Sequence, residues 1–412
     1  DVLPYERPAL TKAFLNERAP ARLPGFHTSV GGGGERQTEE WYREKGVETK
    51  VSTKVAKCDF AKKRVETVTG EIIEYDSLVI ATGVSAHKAS FIEGHDGKMC
   101  KVLRSHEDAL EVVKAMDAKP KNPVVVGGGY IGLEVAAGMC ARGLKPTVVL
   151  MESNVMSRLF TKEIAAHYEQ LYESKGATFI KNASVKKIND GKSVILNDGR
   201  ELNADLVILG VGSDVQPNVE PFGDELEKAK DGGIKVNGKF ETSQKDVYAI
   251  GDVTGRGKFT HMAGYHAGIV IRNILFRLPA KIDDSIIPWV TYTDPELACV
   301  GLQEADAVSQ FGAANIRCQT VSLADNDRAR ADRRTEGLVK LVTHRNGRIL
   351  GAGIVAPAAG EMIMAWSPAI ARRQKIAAMA STIAPYPTYG DAGKRAAGVF
   401  FTDALFSPRT RR

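Results

Sequence analysis

Pro123-Val-Val-Val-Gly-Gly-Gly-Tyr-Ile-Gly-Leu-Glu134 is the stretch whose reading decides the fold. Pro123–Val126 is a continuous apolar run of strand length that enters a Gly127-x-Gly129-x-x-Gly132 turn. Behind the turn, Ile131 to Arg142 reads as a helix closed by Gly143, and Pro146–Met151 is the next strand. Strand, glycine turn, helix and strand make a βαβ unit, which is the context the glycine spacing requires. Gly127 permits the tight turn. Gly129 lets a pyrophosphate approach the backbone, where the N–H groups and dipole of the helix start at Tyr130 and Ile131 receive it. Gly132 allows helix and strand to pack closely. The competing reading is a glycine-rich loop that only packs tightly.

Working outward, Glu152 lies 20 residues after Gly132, at the exit of the next strand. An acid there takes the ribose hydroxyls of a dinucleotide and repels an added phosphate, so NADH is expected in preference to NADPH. The competing reading is an exposed loop acid. Helical periodicity through Leu110, Val113 and Met116 predicts a helix over 105–117, and a second is expected over about 162–175. Ser77-Leu-Val-Ile-Ala-Thr-Gly83 is a buried strand ending in a glycine turn. Ala204-Asp-Leu-Val-Ile-Leu-Gly-Val-Gly212 echoes it as a weak internal repeat, the pattern two nucleotide-binding halves would leave. Val247-Tyr-Ala-Ile-Gly251-Asp252 is a further strand with an acid at its exit, followed by a helix from about Ala263 to Phe276. Asp252 could alone be a cap for that helix.

Toward the front, residues 1–35 are loop-rich and include the run Gly31–Gly34, a helix is expected around Glu35–Lys45, and hairpin strands fit Val47–Tyr75. Toward the rear, Leu338–Thr343 and Ile349–Val355 are joined across Asn346-Gly347, a strong hairpin signal, so 285–412 reads as a separate α+β domain.

The 412 residues exceed what one core supports, so two or three domains are expected. The net charge of +6 is small for this length, and the short basic end with Arg409, Arg411 and Arg412 reads as a solvated tail rather than a nucleic-acid patch. No run approaches the ~18–20 apolar residues of a membrane span, and no signal peptide opens the chain. Cys58, Cys100, Cys140, Cys299 and Cys318 are scattered and odd in number. That argues for a reducing compartment and against a disulfide framework or a metal site.

Taken together, Ala81-Thr82-Gly83, Gly127-x-Gly129-x-x-Gly132 and Tyr248-Ala-Ile-Gly-Asp252 resemble the FAD/NAD-linked reductases with two dinucleotide-binding domains. The resemblance implies an α/β fold of two Rossmann-like domains and a C-terminal α+β dimerisation domain. FAD binding would fall to 1–95 and 232–284, NAD binding to 96–231, and the interface to 285–412. It implies that Asp252, with Gly251, bonds the flavin ribityl chain and that Ala81-Thr82-Gly83 lies close to the flavin, with Gly212 closing the matching turn. Glu134 would face the nicotinamide.

Pro4-Tyr-Glu-Arg-Pro-Ala-Leu-Thr-Lys12, Ala19–Thr28, Trp41–Gly46, Ser157–Thr161 and Gly232–Gly238 narrow the resemblance of about residues 1–252 to the monodehydroascorbate reductases. Arg7 and Lys12 then match residues at the flavin, where a cation stabilises the anionic reduced form; both could instead be surface charges. That family begins with another strand and glycine loop, which would lie ahead of residue 1. From about Thr260 the likeness changes. Phe259–Gly268, Ile287–Glu296, Val300–Leu302 and Arg334–Lys340 resemble the dimerisation domain of dihydrolipoamide dehydrogenase and mercuric reductase.

The thiol pair and His-Glu dyad of that second branch are both broken. Residues 1–35 hold no cysteine, and Tyr386 stands in place of the histidine with Asp391 near the acid. The expected activity is transfer of electrons from NADH through FAD to a small acceptor, foremost the monodehydroascorbate radical. Lys12 and Glu134 are the catalytic candidates. A cysteine-less diaphorase reducing quinones or dyes, and a NAD-binding module without turnover, are the other readings. A homodimer through 285–412 is expected, without nucleic acid or membrane partners, in the cytoplasm or an organelle stroma or matrix.

Overall fold

The computed structural model describes residues 3–5, 7–16, 37–157 and 160–402. The run Gly31–Gly34, the segment Ala19–Thr28 and the arginine tail lie outside the described residues. The chain divides into two units. One comprises 1–88, 102–111 and 212–283, the other 89–101, 112–211 and 284–412.

The second unit is built on a five-stranded sheet ordered Cys100–Lys101, Leu206–Leu209, Pro123–Val126, Thr147–Val149, Thr178–Ile180. Every neighbouring pair is parallel. All four residues of Pro123–Val126 and of Leu206–Leu209 are buried. A parallel sheet covered on both faces demands such unbroken apolar runs, which is why these strands were visible in the sequence. Helices Tyr130–Ala141 and Lys162–Ser174 follow their strands, the latter capped by Thr161, whose side chain accepts from the Ile164 N–H. Val185–Asn189, Ser193–Leu196 and Glu201–Asn203 form an antiparallel meander.

The same unit carries a second, antiparallel sheet ordered Trp289–Thr291, Glu296–Gly301, Ile349–Ala356, Leu338–His344, Ile316–Ser322. The hairpin across Asn346-Gly347 forms as expected, with Gly347 at φ +85°. Helices 359–363, 366–371, 376–380 and 391–399 supply Met362, Trp366, Ile370, Ile376 and Ala396 to the core beneath Val300, Leu341 and Ile354. Lys340 is a buried cation on this sheet. It is held by Glu163 at 2.6 Å and Glu304 at 2.7 Å, the pairing a buried charge requires.

In the first unit, Val55–Asp59, Arg64–Thr67 and Ile72–Glu74 form the expected hairpins. Leu78–Ile80 pairs in parallel with Val247–Ala249. The two echoed segments behave alike. Each glycine turn, Gly83 at φ +66° and Gly212 at φ +100°, leads into a short strand, and these strands, Ser85–Ala86 and Ser213–Asp214, pair with each other. The core gathers Phe60, Ile80, Val84, Phe222, Ile234 and Val253.

Two expectations need correction. The helix His106–Asp117 exists, but its inner stripe is Ala109, Val112, Val113 and Met116, while Leu110 is exposed. That stripe follows the i, i+3, i+4, i+7 rule, and an alanine holds the position that the larger Leu110 suggested. The helix expected from Ala263 begins at Thr260. The front helix spans Glu39–Glu44, capped by Thr38. Among the described residues no helix is long and apolar enough to cross a membrane.

Candidate functional site

Each fingerprint glycine has its own spatial reason. Gly127 sits at φ +109°, and a Cβ there would strike the Gly210 carbonyl. A Cβ on Gly132 would strike the Gly127 carbonyl. Gly129 differs: among the described residues nothing lies within 4 Å of its would-be Cβ. Gly129 is also the N-cap, with extended backbone and no side-chain hydrogen bond to the first turn, which contains no acid. The N–H groups at Tyr130 and Ile131 therefore open a 12-residue helix, a start suited to an anion. The residues fit a dinucleotide pyrophosphate. Tyr130 packs edge-on to Trp289 at 5.8 Å, and Ile131 is partly exposed.

Glu134, one turn into that helix, is buried, and its Oε1 accepts the Tyr292 N–H at 2.9 Å. The acid expected at the nicotinamide is thus also anchored to the chain just after strand Trp289–Thr291. Glu152 stands beyond the end of strand Thr147–Val149, half-buried, and its carbonyl accepts the Asn182 N–H at 3.1 Å.

In the first unit, Asp252 opens the turn after Val247–Ala249. Arg104 reaches its Oδ2 at 3.5 Å and donates through Nε to the Val84 carbonyl at 2.9 Å. A Cβ on Gly83 would meet Arg104 Nη2 at 3.4 Å, so the Ala81-Thr82-Gly83 turn and Asp252 share one arginine. Burial depresses the Arg104 pKa, the like charge of Arg7 adds to this, and Asp252 opposes it. Arg104 is therefore within electrostatic reach of both Arg7 and Asp252. A second acid adjoins the cluster, since Asp108 Oδ2 accepts the Arg104 N–H at 2.9 Å and the Ser105 N–H at 2.8 Å.

Thr82 donates through Oγ1 to the Asn218 carbonyl at 2.8 Å, and the Asn218 amide returns a bond to the Thr82 carbonyl at 2.7 Å. Arg7 lies over the Tyr5 ring at 5.8 Å. Lys12 folds back onto its own turn, donating to the Pro8 carbonyl at 2.9 Å and to Thr11 Oγ1 at 3.2 Å. Arg104 and Asn218 escaped the sequence reading. Neither lies in a spacing that marks it, and their partners are far away in the chain.

All five cysteines are free. Burial pushes Cys58 and Cys299 upward, and Cys100, Cys140 and Cys318 up to about 11. Tyr386 is exposed, and its hydroxyl donates to Asp327 Oδ2 at 2.9 Å rather than to Asp391, which opens helix Asp391–Val399.

Comparison with known proteins places the chain in a family. A family model described as pyridine nucleotide-disulphide oxidoreductase matches residues 1–267, and the model for the dimerisation domain of that class matches 287–397. Monodehydroascorbate reductase 2, peroxisomal, of Oryza sativa subsp. japonica is 46% identical over 260 residues, covering 61% of this chain and 54% of that protein. The chloroplastic/mitochondrial monodehydroascorbate reductase of Arabidopsis thaliana is 45% identical over 257 residues, covering 61% and 52%. The chain thus spans about half the length of the curated relatives it matches. A solved NAD-dependent persulfide reductase from A. fulgidus shares the fold, with a TM-score of 0.84 over 98% of this chain and 78% of that one at 23% identity. With more than half of its residues matched by the family model, the chain belongs to the pyridine nucleotide-disulphide oxidoreductase family.

Proposed function

We propose that this chain is the body of an FAD-dependent NADH oxidoreductase whose electron acceptor is the monodehydroascorbate radical. One observation carries the oxidoreductase reading. Each unit bears a nucleotide-type site: the Gly127-Gly129-Gly132 cradle in one, and the Gly83, Arg104, Asp252 cluster in the other. In this reading Gly127, Gly129, Gly132 and the N–H groups of Tyr130 and Ile131 receive the NADH pyrophosphate. Glu152 accepts from its ribose hydroxyls, and Glu134 borders the nicotinamide. Ala81, Thr82 and Gly83, with Gly212, Gly251 and Asp252, hold the flavin, while Arg7 and Lys12 set positive charge beside it. Residues 1–95 and 232–284, joined by Arg104 and Gly212, serve FAD, the rest of 96–231 serves NADH, and 285–412 make a homodimer interface.

A bound flavin would accept hydride from the nicotinamide and release electrons to the acceptor. The protein contributes position and charge, and the raised pKa values of all five cysteines agree with a route that needs no thiolate. The acceptor rests on the relatives that carry the name monodehydroascorbate reductase. A second reading, a diaphorase acting on quinones or dyes, is favoured by the dimerisation-domain match at 287–397, because that domain resembles a different branch. A reducing compartment, cytoplasm or organelle stroma or matrix, is part of the proposal.

The test uses the flavin-loaded protein, identified by its visible flavin band. Ascorbate oxidase generates the radical, and NADH loss is followed. A rise above the ascorbate-free background supports the radical as acceptor. No rise, with rapid ferricyanide reduction, moves the function to the diaphorase; the absence of any flavin band leaves only a nucleotide-binding module.

A further inference from the structure

We infer that His266 is a positioning residue that fixes the turn presenting Asp252, and the inference rests on the reading of Asp252 as a flavin ligand. His266 projects from helix Thr260–Ile274 and is fully buried. Its Nδ1 lies 3.1 Å from the Gly251 backbone nitrogen. A backbone amide can only donate, so Nδ1 accepts and the ring is the tautomer with its proton on Nε2.

The amides before this point find backbone partners: Ala249 donates to Phe240 and Ile250 to Ile80. At Gly251 the strand ends and the chain turns at φ +71°, away from its neighbour. A buried amide left without an acceptor there would bear its full desolvation penalty. The imidazole takes over where the ladder stops. Further along, the Thr254 hydroxyl donates to the Gly251 carbonyl at 2.8 Å and the Gly255 N–H to the Asp252 carbonyl at 3.0 Å. The residue immediately before Asp252 is thereby held at its N–H by His266 and at its carbonyl by Thr254.

The ring itself is set by packing. Phe240 lies against it at 4.1 Å with planes inclined by 33°. The helix runs so close that a Cβ on Gly251 would meet Ala263 Cβ at 3.4 Å. Packing and hydrogen bonding can be separated by substitution. His266→Leu keeps much of the apolar volume and removes the acceptor. His266→Asn loses volume and places an amide oxygen near the position of Nδ1.

The experiment measures FAD affinity by flavin fluorescence and exchange of the Gly251 amide in the full 412-residue chain, with circular dichroism to verify folding. His266→Leu is expected to weaken FAD binding at least tenfold and to speed Gly251 exchange at least tenfold, with His266→Asn within about threefold of wild type in both. Equal losses in Leu and Asn would reduce His266 to a packing residue and overturn the inference. So would a Leu variant whose Gly251 exchange is unchanged. Should the Leu variant fail to fold, the Asn variant and the imidazole tautomer seen by ¹⁵N NMR decide. An Nδ1-protonated ring, or an Asn variant that folds without protecting Gly251, overturns the inference. Failure of wild type to bind FAD would defeat the flavin reading, whereas unchanged Gly251 exchange would defeat the role of His266 alone.

Discussion

Glu134 and Tyr292 are joined side chain to backbone at 2.9 Å, so the acid of the fingerprint helix is fixed by the antiparallel sheet of the same unit. Glu134→Ala removes the acceptor of a part-buried N–H and is expected to cost about 1–3 kcal/mol in urea unfolding. Glu134→Gln retains an oxygen and should lose less than half as much. Equal stability of wild type and the Ala variant would show that the bond contributes nothing.

Glu152 should give NADH at least a tenfold advantage over NADPH in kcat/KM, about 1.4 kcal/mol. Glu152→Ala should narrow that ratio through NADPH. Steady-state kinetics with both cofactors check it, and a ratio that does not change with the substitution removes Glu152 from the ribose site.

The thiols should be slow to alkylate and dispensable. With Cys100, Cys140 and Cys318 raised to about 11, their thiolates form only as pH climbs toward that value. At pH 7.5, iodoacetamide labelling should run about two orders of magnitude slower than for an unperturbed cysteine of pKa ~8.5. Mass spectrometry of the native protein reads each site. One thiol labelled at the peptide rate would identify a reactive cysteine, and loss of NADH-to-dye activity in its folded Ala variant would give it a redox role.

Residues 285–412 should form a two-fold interface. Met364, Ile383 and Tyr386 expose large apolar surface in this region, the kind a stable dimer covers. Light scattering is expected to give twice the 44.5 kDa protomer mass at micromolar concentration. A stable protomer-sized particle would count decisively against it.

Arg7 and Lys12 should steer an anionic acceptor. At low ionic strength Arg7→Ala and Lys12→Ala are each expected to lower kcat/KM for the radical about tenfold, with the deficit shrinking to about twofold near 0.5 M salt. A deficit independent of salt would assign the residues a contact role instead of a long-range one.

The parts of the molecule legible in the sequence are those governed by local rules. Pro123–Gly132 could be read because a strand buried on both faces must be apolar throughout and each glycine answers a steric demand within a few residues. Gly83, Gly212 and Asp252 could be placed at strand exits, while the flavin role of Asp252 came only from the resemblance. Arg104, Asn218 and His266 could not be read, because their meaning lies in Asp252, Thr82 and Gly251, which only folding brings near. A motif marked Lys12, and folding adds what no motif shows, that its ammonium donates to Pro8 and Thr11 of its own turn. Leu110 misled because two overlapping helical stripes were available and the bulkier side chain was not on the buried one.

The interleaving of the two units sets an order of assembly during synthesis. Every strand of the parallel sheet, from Cys100 to Leu209, has been made before the chain reaches Gly212. Among the described residues, Leu78–Ile80 pairs with Val247–Ala249 and Ser85–Ala86 with Ser213–Asp214, both partners made later. Sequence-distant pairing is slow because the loop must close first. The nascent chain can therefore complete the parallel sheet while the earlier strands still lack these two partners. A ribosome paused between residues 212 and 247 would expose the Leu78–Ile80 strand to chaperones or to aggregation, and synonymous codons that change the speed of this stretch should alter soluble yield without altering the protein.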